Sequence, residues 1–141
     1  MLPVEMDVTP IASWRQAHFG TACNCGMAAD TADPDGDGLV NIVEYAFNLD
    51  PLTSSPYPIN FALVNNHLTL TSKRTHPPPP DINYLFEVTS DLSSGTWNSG
   101  PAYTSQTVTD NLDGTETVVV TDLAAPPSPA AHYFRVRVAP Q

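Results

Sequence analysis

The chain has 141 residues, of which 15 are acidic and 5 are Lys or Arg, so its net charge is −10 at pH 7. This length is typical of one ordinary domain, or of a domain with a small appendage. The negative charge disfavours nucleic acid and anionic lipid as partners. No apolar run approaches the roughly 18 residues of a membrane-spanning helix. The N-terminal residues carry acids where a signal peptide has basic residues. The chain is therefore either a mature or excised piece of a longer protein or an intracellular protein.

The first fifty residues predict two helices. Thr9 suits the cap of a helix that begins at Pro10, and Gly20 suits its end. Three residues of this helix recur on one face: Ile11, Trp14 and His18. A second, amphipathic helix is expected over residues 40 to 47, because Asn48 can adopt the left-handed conformation that ends a helix.

From residue 60 onward, the sequence has the pattern of β-strands. Short alternating segments predict strands over residues 60–64, 67–72, 83–90, 104–110, 115–122 and 132–138. Residues 65–66 and 111–114 have the composition of hairpin turns, and the proline run at 77–80 indicates a stiff spacer. We expect a mainly β fold with a small helical part, in which a helical segment (1–55) precedes an antiparallel β-sandwich (56–141).

The loop between the two predicted helices has the ligand spacing of an EF-hand-type calcium loop. Counted from Asp33, the six ligand positions are filled by Asp33, Asp35, Asp37, Leu39 through its carbonyl, Asn41 and Glu44. Ca²⁺ takes about six to eight oxygen ligands, and Gly38 permits the sharp turn between them. The alternative is a solvated Asp/Gly turn that leads into a helix. Because three carboxylates in one turn repel each other without a cation, the complete pattern favours Ca²⁺.

The stretch "DPDGDGLVNIVEYAFNLDP" resembles the calcium loop of thrombospondin type 3-like and dockerin-like repeats. Nearly the full length is similar to a C-terminal module of large secreted proteins of environmental bacteria. Besides the loop, this resemblance rests on three motifs: a helix that ends "W…HFG" (Trp14, His18, Phe19, Gly20), a "Y.FEVTSDL…W" segment from Tyr84 to Trp97, and a closing "YFRVRV".

The resemblance implies an extracellular location and attachment to a longer protein. Asn48 stands where the pattern usually has Gly, which is physically equivalent, since both adopt the left-handed conformation. Cys23 and Cys25 are not part of the pattern. They can form a small strained disulfide, remain reduced, or pair between chains, and a structural role is favoured over a metal site that includes His18.

The remaining polar clusters give no recognisable catalytic set. The four histidines lie in no nucleophile elbow, zinc-binding helix motif or phosphate loop: His18, His67, His76 and His132. Acidic residues around the second hairpin suggest either a second ion or, in the favoured interpretation, a plain turn: Asp110, Asp113 and Glu116. Basic residues on the strands are interpreted as a solvated face: Lys73, Arg74, Arg135 and Arg137. Four aromatic residues could form a sugar-stacking platform, although a core position is the favoured interpretation for Trp97: Tyr57, Trp97, Tyr103 and Tyr133.

We therefore expect a non-catalytic extracellular calcium-binding module that serves surface attachment, display or assembly, including the subunit of a self-assembling surface filament. Its expected partners are copies of itself, or a protein or glycan on a cell surface. Sheet edges, and Pro-rich flanks such as residues 125–132, are candidate contact surfaces. The alternative is a calcium-stabilised carbohydrate-binding module of a secreted enzyme.

Overall fold

Two sheets and two α-helices make up the part of the chain that the computed structural model describes, residues 9–124 and 132–141. The Pro-rich flank therefore lies, up to residue 131, outside the described residues. None of the described helices is long and apolar enough to cross a membrane.

The two helices lie where the sequence predicts them. α1 spans Pro10–Phe19, and its first turn is capped by the Thr9 hydroxyl, which accepts a hydrogen bond from the Ala12 N–H at 3.3 Å. Gly20, at φ 72°, ends this helix in the left-handed conformation. α2 spans Asn41–Ala46, and Asn48 follows at φ 58°. The predicted helix bounds are therefore confirmed to within one residue.

The strands form one four-stranded and one two-stranded antiparallel sheet. In chain order they are β1 (Ile59–Val64), β2 (His67–Thr75), β3 (Ile82–Thr89), β4 (Thr104–Asp110), β5 (Thr115–Asp122) and β6 (Tyr133–Pro140). The larger sheet has the order β1-β2-β5-β4, and the smaller one pairs β3 with β6. Asn65 and Asn66 both have positive φ, as a type I′ hairpin turn requires. The predicted hairpins and the mainly β fold class are confirmed.

A hydrophobic cluster joins the two sheets and α2. Its buried members are Ile42, Tyr45 and Ala46 from α2, Phe47 directly after it, Ile59, Leu70, Val118 and Val120 from the larger sheet, and Ile82 and Phe86 from the smaller one. α1 packs on the same cluster through Trp14, whose ring centroid lies 5.5 Å from that of Tyr45. The helical segment therefore shares its core with the sandwich, and α2 closes one flank of it.

Asp81, just before β3, fixes the N-terminal helices to the sheets by polar contacts. One of its carboxylate oxygens accepts from the Ile11 N–H and the other from the Tyr45 hydroxyl, both at 2.8 Å. The smaller sheet thus positions α1 and α2 together, and α2 carries part of the loop discussed next.

Candidate metal centre

The loop that precedes α2 is shaped by hydrogen bonds between its own carboxylates and backbone amides. The two carboxylate oxygens of Asp33 accept from the Gly36 N–H at 2.9 Å and from the Gly38 N–H at 3.0 Å. Gly38 has φ 92°, a conformation that side chains other than Gly rarely adopt. The chain therefore wraps around its acidic side chains at the position where the sequence predicts a sharp turn.

The structure brings three of the predicted ligands together. One carboxylate oxygen from each of Asp33, Asp35 and Asp37 lies within 4.8 Å of those of the other two. Among residues 9–124 and 132–141, these three aspartates are the one group of His, Cys, Asp or Glu side chains that lie close enough together to share a metal ion. The three aspartates form a cluster that could hold a metal ion.

Glu44, on α2, is buried beside this cluster without a hydrogen-bonding partner. The residue is 1% exposed, and within the described residues neither of its carboxylate oxygens makes a hydrogen bond. Burial, and next the negative charges of Asp37, Asp35 and Asp33, raise the pKa of Glu44 to about 7. Glu44 is not a member of the 4.8 Å group, but it is near enough to feel the charge of all three aspartates.

Two further oxygen atoms in the same region lack a hydrogen-bonding partner among the described residues. They are Oδ2 of Asp35 and Oδ1 of Asn41, both inaccessible to solvent. The side-chain amide of Asn41 donates to the carbonyls of Met27 and Ala29, both at 2.8 Å, and this fixes the orientation of the side chain. Buried polar atoms usually have partners. Four such oxygens around one loop therefore fit a hard cation.

The surroundings shift the pKa values of Asp37 and Asp35 in opposite directions. Asp37 accepts from the Ser55 N–H and the Leu39 N–H, both at 2.8 Å, and these bonds lower the pKa of Asp37. Burial, followed by the nearby carboxylates of Asp33 and Asp37, raises the pKa of Asp35. A bound cation would offset the repulsion that Asp35 and Glu44 experience.

The structure adds residues that the sequence analysis did not assign to the loop. Ser55 connects the loop to the segment before β1 through Asp37. Asp30 accepts from Arg15 of α1 at 2.6 Å, and its backbone carbonyl accepts from the Ile42 N–H of α2 at 3.1 Å. No local sequence signal marks any of these three contacts, because each joins residues that are more than ten positions apart.

Residues of both the loop and the sheets line a small, mainly apolar cavity of about 210 Å³. The loop contributes Gly38 and Leu39 to its wall, and the sheets contribute Ile59, Val136 and Val138. The Leu39 side chain itself is buried. The loop therefore lies beside the sandwich, with Leu39 buried, rather than projecting into solvent.

The other predicted clusters have structural partners. Asp113 accepts from the Thr115 N–H at 2.9 Å within the second hairpin, a contact typical of a turn. Glu116 is buried and lies between Arg74 and His76, at 3.5 and 3.3 Å. Cys23 and Cys25 form a disulfide.

The interpretation of the basic residues as a solvated face is wrong for Arg74. Arg74 is only 8% exposed and pairs with Glu116, and its guanidinium carbon lies 4.6 Å from the centroid of the Tyr84 ring. The alternation of β2 turns Arg74 inward, and a buried acid on β5 compensates its charge. Arg135 and Arg137 instead meet Glu87 on the neighbouring strand, at 3.0 and 2.6 Å.

The aromatic residues considered as a sugar platform lie in different parts of the structure and differ in exposure. Trp97 is half-buried, and the guanidinium of Arg135 lies 4.0 Å from its ring centroid. Tyr57 and Tyr103 are 64% and 45% exposed. Tyr103 lines a cavity of about 260 Å³ together with Asn98 and Asp122, whereas Tyr57 lies by the loop that carries the three aspartates. The structure therefore gathers no single platform from these four side chains.

Comparison of the chain with protein-family models, with curated proteins and with solved structures gives no match.

Proposed function

We propose that this chain is a non-catalytic, extracellular calcium-binding module that serves surface attachment, display or assembly. The observation that carries the proposal is the pairing of the aspartate cluster with a buried Glu44 whose two carboxylate oxygens have no partner among the described residues. A buried carboxylate without a partner is costly, and a divalent cation held by the same loop removes that cost.

The donor set favours Ca²⁺ over softer or smaller ions. The proposed ligands are the side chains of Asp33, Asp35, Asp37, Asn41 and Glu44 and the carbonyl of Leu39, all of them oxygens. Zinc and copper sites usually include His or Cys, and Mg²⁺ generally retains several waters. Ca²⁺ accepts many oxygen ligands in flexible geometry, with typical extracellular affinities of about 10⁻⁴–10⁻³ M.

In this proposal the ion supplies positive charge, and the chain's own residues transmit its effect. Glu44 belongs to α2, whose apolar side packs into the shared core. Asp37 holds the segment before β1 through Ser55. Drawing these two acids toward one point would fix the position of α2 relative to the larger sheet and so stabilise the whole module.

The extracellular location is supported by the Cys23–Cys25 disulfide, since disulfides persist mainly in oxidising compartments. The non-catalytic role is supported by the contacts of the histidines. His18 stacks beside Trp14 with ring centroids 4.9 Å apart, and His76 lies between Asp110 and Glu116. These contacts are those of structural residues. We propose copies of the chain, or a cell-surface protein or glycan, as partners, and a larger secreted protein or a homo-oligomer as the context.

A calcium-stabilised carbohydrate-binding module is the second candidate. It is favoured by the 260 Å³ cavity, whose lining combines the exposed ring of Tyr103 with the polar side chains of Asn98, Thr89 and Ser90. An aromatic ring beside hydrogen-bonding groups is suited to a sugar. The cavity lies away from the metal loop, so calcium would act there only through stability.

Calorimetric titration of the chain with Ca²⁺, followed by sedimentation against whole cells, polysaccharides and the chain itself, tests the proposal. We expect one calcium site and binding that is lost with chelator. Absence of calcium heat at millimolar concentration would reject the metal assignment, and reproducible hydrolytic or redox turnover would reject the non-catalytic role. Calcium-independent binding to a polysaccharide alone would favour the second candidate.

A further inference from the structure

The first strand of the larger sheet has a free edge. β1 pairs with β2 from Ile59↔Ser72 to Val64↔His67, and among the described residues no strand pairs with its other side. An edge strand presents a row of unpaired backbone amide and carbonyl groups that another strand can extend. Natural edges are usually protected by Lys, Pro, a bulge or inward-pointing charges. β1, with the sequence INFALV, contains no Lys, Pro or charged residue.

β1 is also unusually apolar for an exposed strand. Phe61, Leu63 and Val64 are 44%, 73% and 50% exposed. Alternate residues of a strand share a face, so Phe61 and Leu63 share the face of the buried Ile59. The Phe61 ring contacts Phe134 of β6 with centroids 5.9 Å apart. The two-stranded sheet therefore leaves an apolar strip on the inner face of β1 only partly covered.

The strand at the opposite edge of the same sheet, β4, is mostly polar. β4, with the sequence TSQTVTD, is exposed along nearly its whole length but carries Val108 as its single large apolar residue. Its remaining side chains are polar, and Asp110 brings a charge to its end. An apolar partner would gain little at β4.

The charge distribution indicates what can approach β1. No Asp, Glu, Lys or Arg occurs from Pro51 to Ser72, although the chain as a whole has a net charge of −10. Two copies of so acidic a protein repel each other over most orientations. The hairpin of β1 and β2 offers a surface at which two copies can meet without placing like charges in contact.

We propose that β1 pairs antiparallel with β1 of a second copy, so that the two larger sheets join into one eight-stranded sheet about a two-fold axis. Such an interface is self-complementary, as closed dimers require. Directly opposed residues in an antiparallel pair share a face, so the Phe61 and Leu63 side chains of both copies form one continuous apolar strip. The inner faces of the two sandwiches then lie on the same side of the joined sheet.

This inference deepens the proposed role in assembly and rests on it, although none of its contacts involves the metal loop. One six-residue strand is a small contact compared with the roughly 800 Å² that each partner buries in a standard complex. We therefore expect association in the micromolar range, on the order of −8 kcal/mol at 1 μM.

Sedimentation equilibrium of the full chain and of three variants over about 1 to 500 μM, in calcium and in chelator, tests the proposal. Leu63→Lys places a charge on the free edge at a side chain that is already 73% exposed, so the fold is retained. Leu112→Lys makes the same change at an 89% exposed leucine in the second hairpin, away from β1. Val108→Lys places the charge on the other edge strand.

We expect the wild type, Leu112→Lys and Val108→Lys to form dimers and Leu63→Lys to remain monomeric at least tenfold above the wild-type dissociation constant. A wild type that is monomeric throughout, or a Leu63→Lys that dimerises like Leu112→Lys, would overturn the inference. Loss of association in Val108→Lys would also overturn it, because head-to-tail pairing of β1 with β4 would then explain assembly. Calorimetry with Ca²⁺ on the same samples separates these outcomes from failure of the calcium site.

Discussion

Replacing Glu44 with Gln is expected to have opposite effects on stability with and without calcium. The substitution preserves the size of the side chain but removes its charge. Without calcium, the wild-type chain buries a carboxylate that has no hydrogen-bonding partner among the described residues. With calcium, that same carboxylate is a proposed ligand. Glu44→Gln should therefore stabilise the calcium-free protein and destabilise the calcium-loaded one.

The magnitude follows from the pKa of Glu44. A rise from 4.5 to about 7 corresponds to roughly 3 kcal/mol of unfavourable ionisation above pH 7. Solvent screening reduces this penalty to about 2 kcal/mol. The buried amide of Gln costs about 1 kcal/mol for its own unpartnered atoms. A net gain of about 1 kcal/mol should raise the melting temperature in chelator by roughly 3–4 °C for a chain of this size.

With calcium, the wild type should instead be more stable than Glu44→Gln. At a hundredfold excess over the dissociation constant, calcium should add about 2.7 kcal/mol to the wild type. If the variant binds about thirtyfold more weakly, the same concentration adds only about 0.9 kcal/mol. The wild type should then be the more stable protein by roughly 1 kcal/mol, that is, about 2 kcal/mol of lost calcium stabilisation less the 1 kcal/mol gained without calcium.

Thermal unfolding at pH 8, with chelator and with millimolar calcium, measures both effects. Glu116→Gln is the matched control, because Glu116 is equally buried but pairs with Arg74 and His76. It should lose stability to the same extent in both conditions.

The folded chain holds the Glu44 proton to higher pH than the unfolded chain, so calcium-free stability should fall as pH rises from about 4.5 to 7. A Glu44→Gln variant that is less stable than wild type in chelator would refute the reasoning.

Three further substitutions test the site and the fold. Asp37→Ala removes a proposed ligand, so its melting temperature should be the same in calcium and in chelator, whereas a persisting calcium shift would contradict the assignment. Glu87→Gln should cost about 1–2 kcal/mol at neutral pH in urea unfolding. Hydrogen bonds from Arg137 and then Arg135 lower the pKa of Glu87. The difference in unfolding free energy between wild type and Glu87→Gln should therefore shrink as pH falls through that lowered pKa. A difference that stays constant with pH would count against the pairing. Leu70→Ala empties a fully buried position and should cost about 2–5 kcal/mol in the same assay, and a loss below 1 kcal/mol would contradict its place in the core.

The secondary structure was predictable because its signals are local. Thr9 and Gly20 define α1 by their side-chain and backbone preferences, and Asn65-Asn66 supplies the positive φ angles of the first hairpin turn. Alternation along each strand gave the sheet segments to within a few residues. None of these signals depends on residues distant in the chain.

The pairing of strands and the partners of charged side chains were not predictable, because they depend on distant residues. β2 lies between β1 and β5, and this order decides that Arg74 meets Glu116, 42 positions away. An isolated Arg on an alternating strand has no local feature that distinguishes a buried pair from a solvated face.

The candidate site was predictable as a motif but not as an electrostatic arrangement. The spacing of Asp33, Asp35 and Asp37 indicates convergence, and the structure brings their oxygens within 4.8 Å. That Glu44 lies almost fully buried depends on the packing of α2 against both sheets. The anchoring of Asp37 by Ser55 depends on the path of the chain before β1.

Titration of the calcium-free wild-type chain with Ca²⁺, followed residue by residue by NMR with Mg²⁺ as the control ion, tests the central claim most directly. We expect a single site with a dissociation constant of about 10⁻⁴–10⁻³ M. The largest shifts should occur at the amides of Gly38, Leu39 and Ser55 and at the Glu44 carboxyl, with much smaller changes in Mg²⁺. Unchanged spectra at these positions in several millimolar Ca²⁺, or equal shifts with both ions, would contradict the claim that this loop is a calcium site.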